Sequence, residues 1–171
     1  MLAEDVRLFT ALGYREAVRP DALRARLVAD GRPDVRIELR ASGGRVFGGT
    51  FAMEVATADS VLPRTNGLRA RGRGVVRLQT IRFRARGDDQ AGRRVADRLE
   101  RDAHLIDALS KIHFEQVRVE PDGRVVIRHM GGSLVWLLFP PMARPVPIVP
   151  EQVRAIVGAL EEFVRAGESA S

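Results

Sequence analysis

The chain contains no cysteine. That excludes a disulfide framework, a thiolate metal site and a cysteine nucleophile, and leaves the compartment open. Long apolar runs are missing too. The longest, Leu134 to Phe139, falls far short of the ~18 residues a membrane-spanning helix needs. The opening residues Met1, Leu2, Ala3, Glu4 and Asp5 carry acids where a secretory signal carries bases, so a cytoplasmic protein with no membrane role is expected. Lysine occurs once, as Lys111, and histidine three times.

Several chemistries lack their motif. There is no HExxH pair for zinc, and Gly131-Gly132-Ser133 does not match GxSxG, which leaves Ser133 without support as a nucleophile. Residues 67–74 are rich in glycine and arginine but lack both the Gly-Lys-Ser/Thr ending of a P-loop and the GxGxxG spacing after a strand. They read as a flexible basic loop. Helix-turn-helix, zinc-finger and RNP-type signals are absent as well. Neither a cofactor nor a metal is predicted.

What is there is an ordinary globular composition, 45% apolar and 29% charged over 171 residues, enough for one domain with its own core. The net charge is +6 and 27 of the 28 basic residues are arginine. A GC-rich codon bias explains that choice of residue but not its distribution. Between Arg64 and Arg101 lie twelve arginines and four acids, so this segment carries +8 and the rest of the chain −2.

Hydrophobic periodicity sets out the elements. Leu2, Val6 and Phe9 predict a short helix over about Glu4 to Leu12, and Pro20-Asp21 with Leu23, Leu27 and Val28 predict a second up to Gly31. From Val35 the period becomes two. Val35, Ile37 and Leu39 share one face, and Phe47, Phe51, Met53 and Val55 share one face of the next strand. A three-residue Ser42-Gly43-Gly44 loop would set Leu39 opposite Phe47 and Val35 opposite Phe51. Thr57 to Gly74 reads as a surface loop. Val76 to Arg86 reads as a strand needing a bulge near Gln79 and Thr80. Asp88 or Asp89 would cap one long helix to about Leu109, with Val95, Leu99, Ala103, Ile106 and Leu109 buried.

The turn Pro121-Asp122-Gly123 predicts a hairpin pairing Glu120 with Arg124, Val119 with Val125 and Val117 with Ile127. Leu134 to Phe139, apolar on both faces, predicts a well-covered strand. The prolines that follow impose an extended segment barred from any central ladder, before a last helix from Pro150 and a fraying tail from Gly167. The expected fold is α+β: a mostly antiparallel sheet from two tandem strand-strand-strand-helix units, helices on one face and extra N-terminal helices. Pseudo-repeats over about 33–110 and 111–166 within a single domain spanning 1–171 would account for that order.

Two constellations carry chemistry. Arg82, Arg84 and Arg86 share the outer face of their strand, with Arg69, Arg71 and Arg73 in the loop beside them. Guanidinium forks so gathered take phosphate or carboxylate bidentately. The leading reading is therefore a non-catalytic module that engages an acidic protein or an anionic ligand. Nucleic acid is an alternative, though Phe83 points away from that face and cannot stack a base there. Solvated or internally paired arginines are the bland alternative. The rival is an enzyme: extending the second hairpin's register sets Glu115 opposite His129 with His113 on the same face, a grouping suited to general-base work. Its bland counterpart is a carboxylate and an imidazole satisfying one another at the core's rim. His104, alone on its helix, reads as a surface residue.

Thr80-Ile81-Arg82-Phe83-Arg84, Ala91-Gly92-Arg93 before a helix, Gly131-Gly132-Ser133, Phe139-Pro140-Pro141 and Arg144-Pro145-Val146-Pro147-Ile148 resemble a family of small bacterial proteins of unknown function. The resemblance spans roughly the C-terminal half and implies no activity and no catalytic residues.

Overall fold

The computed structural model describes residues 2–42, 48–73, 80–137 and 141–169. The first element is helix α1 (Leu2–Thr10), which buries Leu2, Val6 and Phe9. Phe9 meets Tyr14 edge-on at 5.9 Å. The expected second helix is instead a hairpin, β1 (Arg15–Asp21) and β2 (Arg24–Val28). Leu23 and Leu27 fit a helical stripe, but Ala25 and Leu27 are the pair that is buried, at strand spacing. The Asp21 carboxylate accepts the Leu23 N–H (2.7 Å) and closes a turn rather than a helix start. Pairing with β3 (Val35–Ser42) overrode local periodicity by setting Leu27 opposite Val35 and Ala25 opposite Ile37.

Strand β4 (Gly48–Thr57) pairs antiparallel with β3, but six residues out of the expected register. Leu39 faces Met53 and Val35 faces Thr57. Apolar matching fixes only the parity of a register, and any even slip keeps both apolar sets on one face. What distinguishes this slip is the other neighbour of β4, where Val55 meets Ile127 and Met53 meets His129. Ser42 ends β3 opposite Thr50 and so is not part of a three-residue turn; Gly43 and Gly44 lie outside the described residues.

The predicted surface loop holds a strand, β5 (Leu68–Arg73), in which Leu68 and Ala70 are buried and Arg69 is exposed. Small and basic residues hid this alternation. Strand β6 (Thr80–Ala85) follows, with Ile81 and Phe83 buried; the segment from Val76 to Gln79 and its bulge lie outside the described residues. The long helix is two, α2 (Gln90–Arg101) and α3 (Ala103–Ser110). The Asp102 carboxylate accepts the N–H groups of His104 (3.1 Å) and Leu105 (3.0 Å), starting a new helix. Ala103 is consequently exposed and Leu105 buried in its place.

The second hairpin, β7 (Phe114–Val119) and β8 (Val125–Leu137), has the expected turn and pairs Val119 with Val125 and Val117 with Ile127. Glu120 N–H donates to the Arg124 carbonyl (2.8 Å). Gly123 is required twice over: its φ is +87°, and a Cβ there would lie 1.9 Å from the Leu62 carbonyl oxygen. Strand β8 runs on through Gly131-Gly132 for 13 residues. Val135 is 36% exposed, so its second half lacks the cover expected on both faces. The proline-rich segment forms β9 (Met142–Val146), which pairs only with β8 and is exposed throughout, a position where proline is tolerated. Helix α4 (Pro150–Glu168) buries Val153, Ile156, Val157 and Leu160 as expected, with Phe163 in place of Val164. Its end does not fray at Gly167, which is buried so tightly that a Cβ would lie 1.8 Å from the Val61 carbonyl oxygen.

The nine described strands form one sheet, in the order β1-β2-β3-β4-β8-β7-β5-β6 with β9 beside β8, and every pairing is antiparallel. The α+β class holds, with the helices on one face, although a single helix precedes the strands. Four strands, β3 to β6, occupy the first of the proposed tandem units and three the second. The opposite face of the sheet is left to side chains.

Candidate anion-binding site

Strand alternation sends the apolar residues of β2 to β8 under the helices and their charged neighbours to the open face. The register aligns seven residues of that face, five of them arginine, into a row across seven strands: Arg26, Arg36, Ala56, Val126, Arg118, Arg69 and Arg84. Arg118, Arg69 and Arg84 sit directly opposite one another on adjacent strands, about 5 Å apart by sheet geometry. Like charges so placed destabilise a sheet unless something offsets them.

For Arg118 the offset is internal. Its two terminal nitrogens donate to Glu54 at 3.2 and 2.9 Å, and its Nε donates to Glu120 at 3.2 Å. Glu54 is a hub. It also accepts from Arg128 (Nε, 3.0 Å) and lies 3.4 Å from Arg40 Nε, and it is only 3% exposed beneath these guanidinium groups. Arg40 is shared with Glu38, whose hydrogen bond holds its guanidinium more firmly in the charged form. By contrast, Arg69, Arg84 and Arg86 are exposed and make no ion pair with any described carboxylate.

Arg69 and Arg86 meet Arg40 and Arg118 in a cleft of about 240 Å³, with Glu120 and Asn66 on its wall. Asn66 is anchored from below, its N–H donating to the Asp89 carboxylate at 2.6 Å. That bond, the foremost cause, holds the Asp89 carboxyl below its usual range. Two larger depressions, of about 580 and 510 Å³, are lined by cations and carboxylates in near balance, such as Arg32 and Arg165 with Glu161 and Glu168.

The structure therefore divides the predicted arginines. Arg69, Arg84 and Arg86 share the open face. Arg82 is at the sheet edge, bonded to Glu100 (2.7 Å), whose other oxygen accepts the Phe83 N–H (2.7 Å). The backbone register sets Arg71 opposite Arg82 and Arg73 opposite Thr80, on a strand and not in the loop expected for them. Arg40, Arg118 and Glu54 escaped sequence reasoning. Alternation with Val117 and Val119 placed Arg118 on an outer face, but nothing local told that β8 would bring it beside β4.

The rival grouping is taken apart by a β-bulge between Phe114 and Gln116. Phe114, not Glu115, stands opposite His129. Glu115 is exposed, 3.9 Å from Arg128, and His113 is exposed as well. His129 is buried and fully engaged. Gly131 N–H donates to its Nδ1 (2.8 Å), so Nε2 carries the proton and donates it to Gln152 Oε1 (3.1 Å). That same oxygen accepts the His113 N–H (2.8 Å), and Gln152 Nε2 donates to the Lys111 carbonyl (3.0 Å). Burial pushes the imidazole below its ordinary value and keeps it neutral. Among the described residues no three His, Asp or Glu side chains are placed to hold a metal, and no helix is long and apolar enough to cross a membrane.

Fold and site together define an α+β protein with one helix-covered sheet face and one arginine-rich open face. The chain belongs to the family described as protein of unknown function, DUF3156, whose model matches residues 7–166 and so reaches well beyond the C-terminal half. Neither the curated proteins nor the solved structures include a match to it.

Proposed function

We propose that this chain is a non-catalytic binding module that engages an anionic ligand or an acidic partner on the open face of its sheet. The carrying observation is the row Arg118, Arg69, Arg84, in which only the first cation is offset by carboxylates. An anion laid against the other two relieves their mutual repulsion, which makes binding favourable beyond the contacts it adds. A nucleic-acid partner gains less support, because no described aromatic side chain lies on this face for a base to stack on. A catalytic role loses its candidate base: His129 is neutral, buried and spent on Gln152 and Gly131.

The test is charge reversal. Arg69→Glu combined with Arg84→Glu and Arg86→Glu changes three exposed residues outside the ion pairs, so the fold should persist by circular dichroism. Retention on immobilised heparin and any thermal stabilisation by inorganic phosphate should both disappear. Unchanged retention and unchanged stabilisation in the triple variant would refute the assignment of these residues.

A further inference from the structure

We infer that the 240 Å³ cleft takes a small hydroxylated phosphomonoester, an inference that rests on the anion-binding reading above. Size is the first argument. Pockets for drug-sized ligands start at roughly 300 Å³, so this cleft matches a ligand of metabolite size.

Charge is the second. Three nitrogens of Arg118 are committed to Glu54 and Glu120, and Arg40 is shared between Glu38 and Glu54. The cations left without a described counter-charge are Arg69 and Arg86. Two uncommitted guanidinium groups match a dianion. Both residues line one small cleft, so a ligand held there lies beside both. A carboxylate has two oxygens and satisfies one side-on fork, whereas a phosphoryl group presents three terminal oxygens and satisfies two.

The wall chemistry is the third argument. Glu120 commits only Oε1 to Arg118. A carboxylate beside an anion site repels a bare anion but accepts a hydroxyl, which asks for a ligand with an alcohol next to its phosphate. No aromatic residue lines the cleft, so a nucleobase finds no stacking partner.

The experiment is calorimetric titration of the full chain with glycerol 3-phosphate, inorganic phosphate, succinate and heparin, each at pH 7.5 and 5.5. Glycerol 3-phosphate should bind at pH 7.5 and weaken about fourfold at pH 5.5, as the fraction of dianion falls across its second ionisation near 6. Arg69→Gln with Arg86→Gln should reduce its affinity at least about tenfold, one fork-to-phosphoryl contact being worth that much or more. The single variant Arg86→Gln serves if the double variant misfolds. Glu120→Gln should narrow the preference for glycerol 3-phosphate over inorganic phosphate. Succinate binding as tightly as glycerol 3-phosphate would overturn the ligand class while leaving the anion-binding reading intact. Binding of heparin alone would do the same. Failure of all four probes to bind would overturn both.

Discussion

The two faces of this sheet carry polar groups under opposite rules. Beneath the helices, burial works against charge: it lowers the His129 imidazole below its ordinary value and raises the Asp5 carboxyl to about 7. On the open face a side chain persists by being over-compensated. Glu54 is as deeply covered as His129, yet what covers it is Arg118, Arg128 and Arg40. Depth of burial alone therefore does not decide which polar group a face accepts; the charge of its neighbours matters as well. The open face exceeds its carboxylates in cations, and that excess carries the functional proposal.

The contrast is broken or sharpened most strongly at Glu54. Glu54→Gln keeps the shape and removes the charge that holds two largely covered guanidinium groups, so unfolding in urea should show a loss of about 3 kcal/mol. A loss below about 1 kcal/mol would mean that solvent screens this face and the hub adds little.

The pH dependence of stability tests the covered face. Asp5 binds its proton more tightly folded, at about 7, than at its ordinary 3.8. Its contribution is therefore complete below about pH 4 and lost as pH rises through 7. His129 has the opposite sign: its folded value lies below 6.5, so its contribution is present above that pH and lost as pH falls. Asp5→Asn should raise stability at pH 8 by on the order of 2 kcal/mol and leave the acid side unchanged. His129→Gln should flatten the acid side below about pH 6.5 and leave the alkaline slope in place.

The smallest effect is expected at the sheet edge. Arg82→Ala should cost less than about 1 kcal/mol, because its pair with Glu100 is exposed. Glu100→Ala should cost more, since it also strips the Phe83 N–H of its acceptor. Equal losses in the two variants would show that the backbone bond contributes nothing measurable.

Some of this was legible from residues alone. Pro121-Asp122-Gly123 names its turn and is flanked by apolar pairs that match in size, so the β7–β8 register followed directly. The exposure of Arg84 and Arg86 followed from their alternation with buried Phe83 and half-buried Ala85. The β1–β2 hairpin was illegible because Leu23 and Leu27 satisfy a helical period while Ala25 and Leu27 satisfy a strand period over the same short stretch. Glu115 was misplaced because a single bulge reverses every side chain beyond it. The cleft needed knowledge that no local pattern holds: Arg40 and Arg118 stand on strands far apart in the chain and line one cavity only because β8 enters between β4 and β7.

That late entry has a consequence for the protein during its synthesis. Strand β4 leaves the ribosome with β3 on one side and nothing on the other, and its partner Ile127 follows Thr57, the last residue of β4, only after a long intervening stretch of chain. The final turn of α4 is needed before Gly167 can seat against Val61. The nascent chain must therefore wait, with a central strand unpaired, until β8 has been made. Such long-range closure is slow and leaves the intermediate prone to association with other chains.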